Sequence, residues 1–131
     1  MPIFDERKQD PTLTESKQSK AKLIILRGGT QGKEFNLDTE MTSVGRWDPD
    51  GGAFPEIDLT NDDIEAKISR KHARILVQEG KYMLEDMGSL NGTYINRGPR
   101  LVPGEPQEIR HNDEVIMGKT FFRFEIAGAE G

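Results

Sequence analysis

The chain has 131 residues, of which 34% are hydrophobic and 31% charged, and it carries a net charge of −5. That length suits one domain with a short extension, and the acidic balance weighs against a general nucleic-acid binder, whose grip on phosphate backbones needs a positive field. With no cysteine there is neither a disulfide framework nor a thiolate metal site.

No run approaches the ~20 apolar residues of a membrane span, so no membrane insertion is expected. The opening Met1-Pro2-Ile3-Phe4-Asp5-Glu6-Arg7 lacks the basic-then-apolar order of a secretory signal, which makes the cytoplasm the expected compartment. The charge is unevenly placed. Acidic residues gather at Asp48-Asp50, Asp58–Glu65 and Asp113-Glu114, whereas Lys67, Arg70, Lys71, Arg74, Arg97 and Arg100 form short basic runs. A basic patch on an acidic protein suits a small anionic target; solvated loop charge is the plainer alternative.

In chain order, residues 1–21 are polar, without apolar periodicity, and read as a disordered tail. Lys22-Leu23-Ile24-Ile25-Leu26 is a β-favouring run closed by the turn cluster Gly28-Gly29-Thr30-Gln31-Gly32. Glu34–Leu37 and Met41–Val44 alternate polar and apolar. Trp47 to Lys67 is irregular, with Pro49, Gly51, Gly52 and Pro55, and leaves room for a short strand at Ile57 to Leu59. Strand signals resume at Ala73–Val77, turn at Glu79-Gly80, and return through Tyr82–Asp86. Tyr94-Ile95, Glu114–Gly118 and Phe121–Ile126 follow, separated by turns at Pro103-Gly104 and Asn112-Asp113.

No window holds a 3.6-residue period over ten or more residues, and the frequent turn signals predict an all-β sandwich or barrel. The last strand sets Phe122, Phe124 and Ile126 against Phe121, Arg123 and Glu125, so one face is expected to be buried. Leu23, Ile25, Phe35, Val44, Ile75, Val77, Leu84, Val115 and Met117 complete the expected core. The domain is placed at 22–127, with a short C-terminal tail at 128–131.

Three motifs stand out from plain strand turns. They are Gly45-Arg46, then Ser69-Arg70-Lys71-His72, then Gly88-Ser89-Leu90-Asn91-Gly92-Thr93. Taken singly, Asn91-Gly92 is a strong ordinary hairpin signal and Arg46 an ordinary strand-end arginine. Together, in this order and separation, they resemble the signature of the forkhead-associated (FHA) domain. The resemblance runs from about Lys22 to Ile126. The wording Gly-Ser-Leu-Asn-Gly-Thr-Tyr-Ile-Asn, with Asn112–Val115 and Gly118-Lys119, is similar to small bacterial single-FHA proteins.

The resemblance implies an FHA-type β-sandwich of two antiparallel sheets, with binding loops at one end, that recognises phosphothreonine peptides downstream of Ser/Thr kinases. It implies that Arg46 and Ser69 bind the phosphate, that Arg70 adds a more variable phosphate contact, and that Asn91 bonds the peptide main chain. It casts Gly45, His72, Gly92 and Thr93 as supports of the loops. The chemistry agrees with this. Phosphothreonine brings about −1.5 to −2 charges and three strong acceptors, which a guanidinium fork and short hydroxyl or N–H donors satisfy. Bonds to a charged group contribute about 1.5–3 kcal/mol each, so losing two on dephosphorylation costs roughly 10²–10⁴ in affinity.

Two features depart from the family pattern. Leu90 stands where other members often carry threonine, which alters the peptide-facing surface, and the Trp47–Asp62 loop is longer than in compact members. Arg97 and Arg100, placed after the third motif, are candidates for contacts to acidic residues flanking the phosphate. Thr12 and Thr14, beside acidic residues in the tail, are candidate phosphorylation sites whose product folds back into the chain's own site; a solubilising tail is the plainer alternative. Expected partners are therefore a phosphothreonine protein or peptide, a Ser/Thr kinase or its substrate, and the chain's own tail.

No cofactor, metal or catalysis is expected. His72 and His111 are the two histidines, and neither has a cysteine or matched carboxylate pair beside it. Asp48-Pro49-Asp50-Gly51 resembles the start of a calcium loop but lacks the later ligands. The rival reading is an assembly domain that binds unphosphorylated protein and tolerates Arg46→Ala.

Overall fold

A computed structural model describes residues 20–129; Thr12 and Thr14 lie outside the described residues. Ten strands follow in order: β1 Ala21–Arg27, β2 Glu34–Asn36, β3 Met41–Gly45, β4 Ile57–Asp58, β5 Lys71–Gln78, β6 Lys81–Asp86, β7 Thr93–Ile95, β8 Gln107–Ile109, β9 Glu114–Met117 and β10 Thr120–Ile126. A single 3-10 turn, Pro49–Gly51, interrupts the β3–β4 connection. The strands form two five-stranded sheets, β2-β1-β10-β9-β7 and β4-β3-β5-β6-β8.

Alternation decides which face is buried. Along β10, Phe122 and Phe124 are fully buried while Phe121, Arg123 and Glu125 are half-exposed. On β1, Leu23 and Ile25 face the same interior. Val44, Ile75, Leu84, Val115 and Met117 join them from both sheets, and Phe35 packs on the margin. Tyr82 of one sheet tilts onto Phe124 of the other, ring centroids 5.2 Å apart. Val77 differs from expectation. It pairs with Tyr82 one step from the Glu79-Gly80 turn, where the sandwich runs out, and is only half-buried. Ile57, Leu59, Ile68, Leu101 and Ile109 fill the core instead.

Among the described residues, every strand pair is antiparallel except one. β4 runs parallel to β3, with Val44 opposite Ile57 and Gly45 opposite Asp58. A parallel partner cannot be reached by a tight hairpin, and the extra length between Gly45 and Ile57 supplies the crossover. The registers Gly45↔Lys71, Ala73↔Asp86 and Met117↔Thr93 bring the end of β3, the start of β5, the end of β6 and the start of β7 to one end of the sandwich. All three sequence motifs therefore meet there. No helix among the described residues is long and apolar enough to cross a membrane.

Candidate functional site

The segment from Lys67 to Arg70 is the hub of this end. Gly45 closes β3 directly against it, since a Cβ on Gly45 would lie 1.9 Å from the Arg70 carbonyl oxygen, a contact that glycine alone tolerates. Arg46 follows and holds the residues on both sides of Ser69. Its backbone N–H donates to the Arg70 carbonyl at 3.1 Å, and its Nε donates to the Ile68 carbonyl at 2.7 Å. The two terminal guanidinium nitrogens of Arg46 meet no hydrogen-bond partner among the described residues. Ser69 Oγ accepts from the Leu90 N–H at 3.0 Å, which leaves the hydroxyl proton available as a donor.

His72 joins the hub to the third loop. Nδ1 accepts from the Ser69 N–H at 3.0 Å, so Nε2 carries the proton and donates to the Gly92 carbonyl at 2.9 Å. The ring is fully buried, and burial pushes its pKa below the ordinary histidine value despite the Gly92 contact. It is a neutral brace. Gly92, at φ +93°, takes a backbone conformation that suits glycine.

The third loop hangs on Asp86, which in the sequence is an unremarkable strand end. Its buried carboxylate accepts from the Gly88 N–H at 2.9 Å, the Ser89 N–H at 3.0 Å, Ser89 Oγ at 2.6 Å and Thr93 Oγ1 at 2.6 Å. Burial raises its pKa, but these four donors outweigh burial and hold the carboxyl below its usual range. Ser89 Oγ in turn accepts from the Gly92 N–H at 3.0 Å. The available signal was the Asp-x-Gly-Ser spacing, in which a carboxylate caps the two N–H groups that follow it.

This cage leaves Leu90 81% exposed and sets Asn91 beside the hub, where its Nδ2 donates to the Lys67 carbonyl at 3.1 Å. One amide N–H and the amide oxygen of Asn91 remain for an extended main chain. Arg70 reaches across to Asp48, Nη1 to Oδ2 at 2.7 Å. Gly51, Ala53, Ser69, Arg70 and Lys71 line an open, mostly polar depression of about 320 Å³. A second, more apolar groove of about 290 Å³ adjoins it and includes Met41, Phe54 and Met87.

Arg97 and Arg100 have partners within the domain. Arg97 follows β7, where Nε donates to Glu114 Oε1 at 2.8 Å and the guanidinium lies 5.5 Å from the Phe121 ring centroid. Arg100 is exposed, and its Nη2 donates to the Ser89 carbonyl, which braces the third loop.

The fold and loop arrangement define a known class. The family model for the FHA domain matches residues 42–118, and the chain belongs to that family. Among its relatives is the oxoglutarate dehydrogenase inhibitor of Corynebacterium glutamicum, 38% identical over 84% of this chain and 68% of the relative. The glycogen accumulation regulator GarA of Mycolicibacterium smegmatis is 37% identical over 76% of this chain and 54% of its own length. The chain thus spans about half to two thirds of the length of such curated relatives. Among solved structures, the FHA domain of an Arabidopsis thaliana hypothetical protein aligns with a TM-score of 0.69 at 25% identity, covering 85% of this chain and 88% of that one. Mycobacterium tuberculosis EmbR, solved in complex with a low-affinity phosphopeptide, aligns at 0.67 and 25% identity, covering 87% of this chain and 26% of that one.

Proposed function

We propose that this chain is a phosphothreonine-dependent peptide- and protein-binding module, acting as a signalling adaptor downstream of Ser/Thr kinases and catalysing nothing itself. The observation that carries this reading is the placement of Arg46. Its Nε and backbone N–H are spent on the carbonyls either side of Ser69, which ties the arginine to the hydroxyl-bearing segment while its two outer guanidinium nitrogens stay uncommitted. A fixed guanidinium fork next to a hydroxyl donor is the arrangement a phosphate monoester requires. In this reading Arg46 and Ser69 hold the phosphate, Arg70 adds charge, and Asn91 and Leu90 meet the peptide. The relatives named as inhibitor and regulator, and the neighbour solved with a phosphopeptide, support the same class. Action on a partner that shares the cytoplasm with its kinase fits these relatives.

Tail phosphorylation fits the same site. β1 begins at Ala21, opposite Ile126 and a strand's length from the loop end, so a phosphate on Thr12 or Thr14 must span that length to reach the loops, and its effective concentration there is set by the span. Capture of the tail then competes with partners. The exposed Met41, Phe54 and Met87 beside the depression favour a second reading, phosphate-independent protein binding through the adjoining groove.

Titration with matched phosphothreonine, phosphoserine and unphosphorylated peptide libraries separates the two. The proposed function predicts affinity only for phosphorylated members, with threonine ahead by the ~1 kcal/mol of a buried methyl. Equal affinity for unphosphorylated peptides sinks it and supports the groove.

A further inference from the structure

A phosphate site tolerates carboxylates poorly, yet the Asp48 carboxylate is paired with Arg70, a residue of this depression's wall. Asp48 is mounted rigidly: its N–H donates to the Ala53 carbonyl at 3.0 Å and its own carbonyl accepts from the Ala53 N–H at 2.8 Å. Oδ1 accepts from the Gly51 N–H at 3.3 Å, and Oδ2 takes the Arg70 guanidinium at 2.7 Å. The pair is seated against Gly51, where a Cβ would lie 2.6 Å from Asp48 Oδ2 and 3.2 Å from Arg70 Nη1. Gly51 and Arg70 line the same depression as Ser69. The hydrogen bond from Arg70 holds the Asp48 carboxyl below its usual pKa, and the charge of Arg46 acts in the same direction. A single negative charge thus rests in the field of both arginines before any ligand arrives.

We propose that Asp48 is the resident counter-ion of the site and sets the charge a ligand must bring to recruit Arg70. The inference rests on the phosphate reading of this depression and deepens it. Asp48 is fixed by its backbone, whereas Arg70 has a long side chain that is 59% exposed; the arginine is the mobile partner. A ligand carboxylate offers Arg70 one negative charge in exchange for one, so the swap gains nothing. A phosphate monoester offers nearly two charges and three acceptor oxygens, and an exposed ion pair of this kind is weakly held. Arg70 therefore leaves Asp48 for phosphate and stays for a carboxylate. Acidic but unphosphorylated segments are refused the arginine that a phosphorylated one obtains.

The test uses Asp48→Asn, which preserves the shape and the acceptor for Gly51. Inorganic phosphate and acetate are titrated at constant ionic strength while the Arg70 Nε–Hε resonance is followed by NMR. In the wild type, phosphate is expected to shift this resonance and acetate to leave it in place; in Asp48→Asn both shift it. A phosphothreonine peptide selected from the library should bind Asp48→Asn roughly three- to tenfold tighter than wild type, and Arg70→Ala should cancel that gain. Acetate shifting Arg70 equally in both proteins overturns the proposal. So does weaker phosphopeptide binding by Asp48→Asn, which would make Asp48 a positioning residue for Arg70. If no phosphothreonine peptide binds the wild type, the proposed function fails, while the phosphate and acetate titrations still judge Asp48.

Discussion

The buried ring of His72 lies 2.9 Å from the carbonyl oxygen of Gly92, and this contact ties two loops that are 20 residues apart in sequence. The other ring nitrogen is occupied by the Ser69 N–H, so one side chain fixes the hydroxyl-bearing loop and the asparagine-bearing loop relative to each other. The arrangement needs the neutral ring, because a proton on Nδ1 would face the Ser69 N–H with a second donor.

Acid should therefore loosen the site. Burial lowers the folded-state pKa of His72, so the unfolded chain binds the proton more readily. The stability this residue contributes is fully present above the unfolded value of about 6.5 and is lost as pH falls through the lowered folded value. Thermal melts from pH 8 down to pH 5 should show Tm falling below about pH 6.5, and His72→Gln should flatten that slope. An unchanged slope in the variant contradicts the account.

Asp86→Asn should destabilise the domain. Replacing one carboxylate oxygen by NH₂ sets a donor against donors and weakens the remaining bonds, at a cost of about 2–4 kcal/mol. Because the folded pKa of Asp86 is also lowered, its contribution is present above the ordinary Asp value and is lost as pH falls through the folded value. Urea denaturation of the variant reads the first effect. Acid titration of the wild type, followed by the amide signals of Gly88 and Ser89, reads the second.

Arg97 and Arg100 should behave differently. Arg97→Ala removes an exposed pair that follows β7 and should leave phosphopeptide affinity within about twofold. Arg100→Ala frees the Ser89 carbonyl, and should weaken binding of every phosphopeptide alike, whatever its flanking residues. A loss confined to acidic-flanked peptides on Arg100→Ala would restore a direct peptide contact.

Phosphorylation of the tail offers a fourth check. With Thr12 or Thr14 phosphorylated, the amide signals of Arg46, Ser69 and Asn91 should shift in a concentration-independent way, and an added phosphothreonine peptide should bind more weakly. Unmoved signals in both phosphoforms rule out self-capture.

The strands were legible because alternation along β10, the apolar run of β1 and the Gly-rich turns are local signals, whereas the gathering of the binding loops at one end was implied by the family resemblance. The three motifs fell at one end because each sits at a strand terminus. Asp86 was missed since its partners, Gly88 to Thr93, matter only once the chain turns back on it. The Asp48–Arg70 pair was invisible because 22 residues separate the two, and the turn that mounts Asp48 belongs to an irregular loop.

The most direct test of the account is calorimetric titration of one library-selected phosphothreonine peptide and its unphosphorylated twin into wild type and Arg46→Ala. The account predicts binding of the phosphopeptide by wild type, a loss of roughly 10²-fold or more on removing either the phosphate or the Arg46 guanidinium, and an Arg46→Ala variant that melts within a few degrees of wild type. Equal binding of both peptides, or full binding by Arg46→Ala, would contradict it.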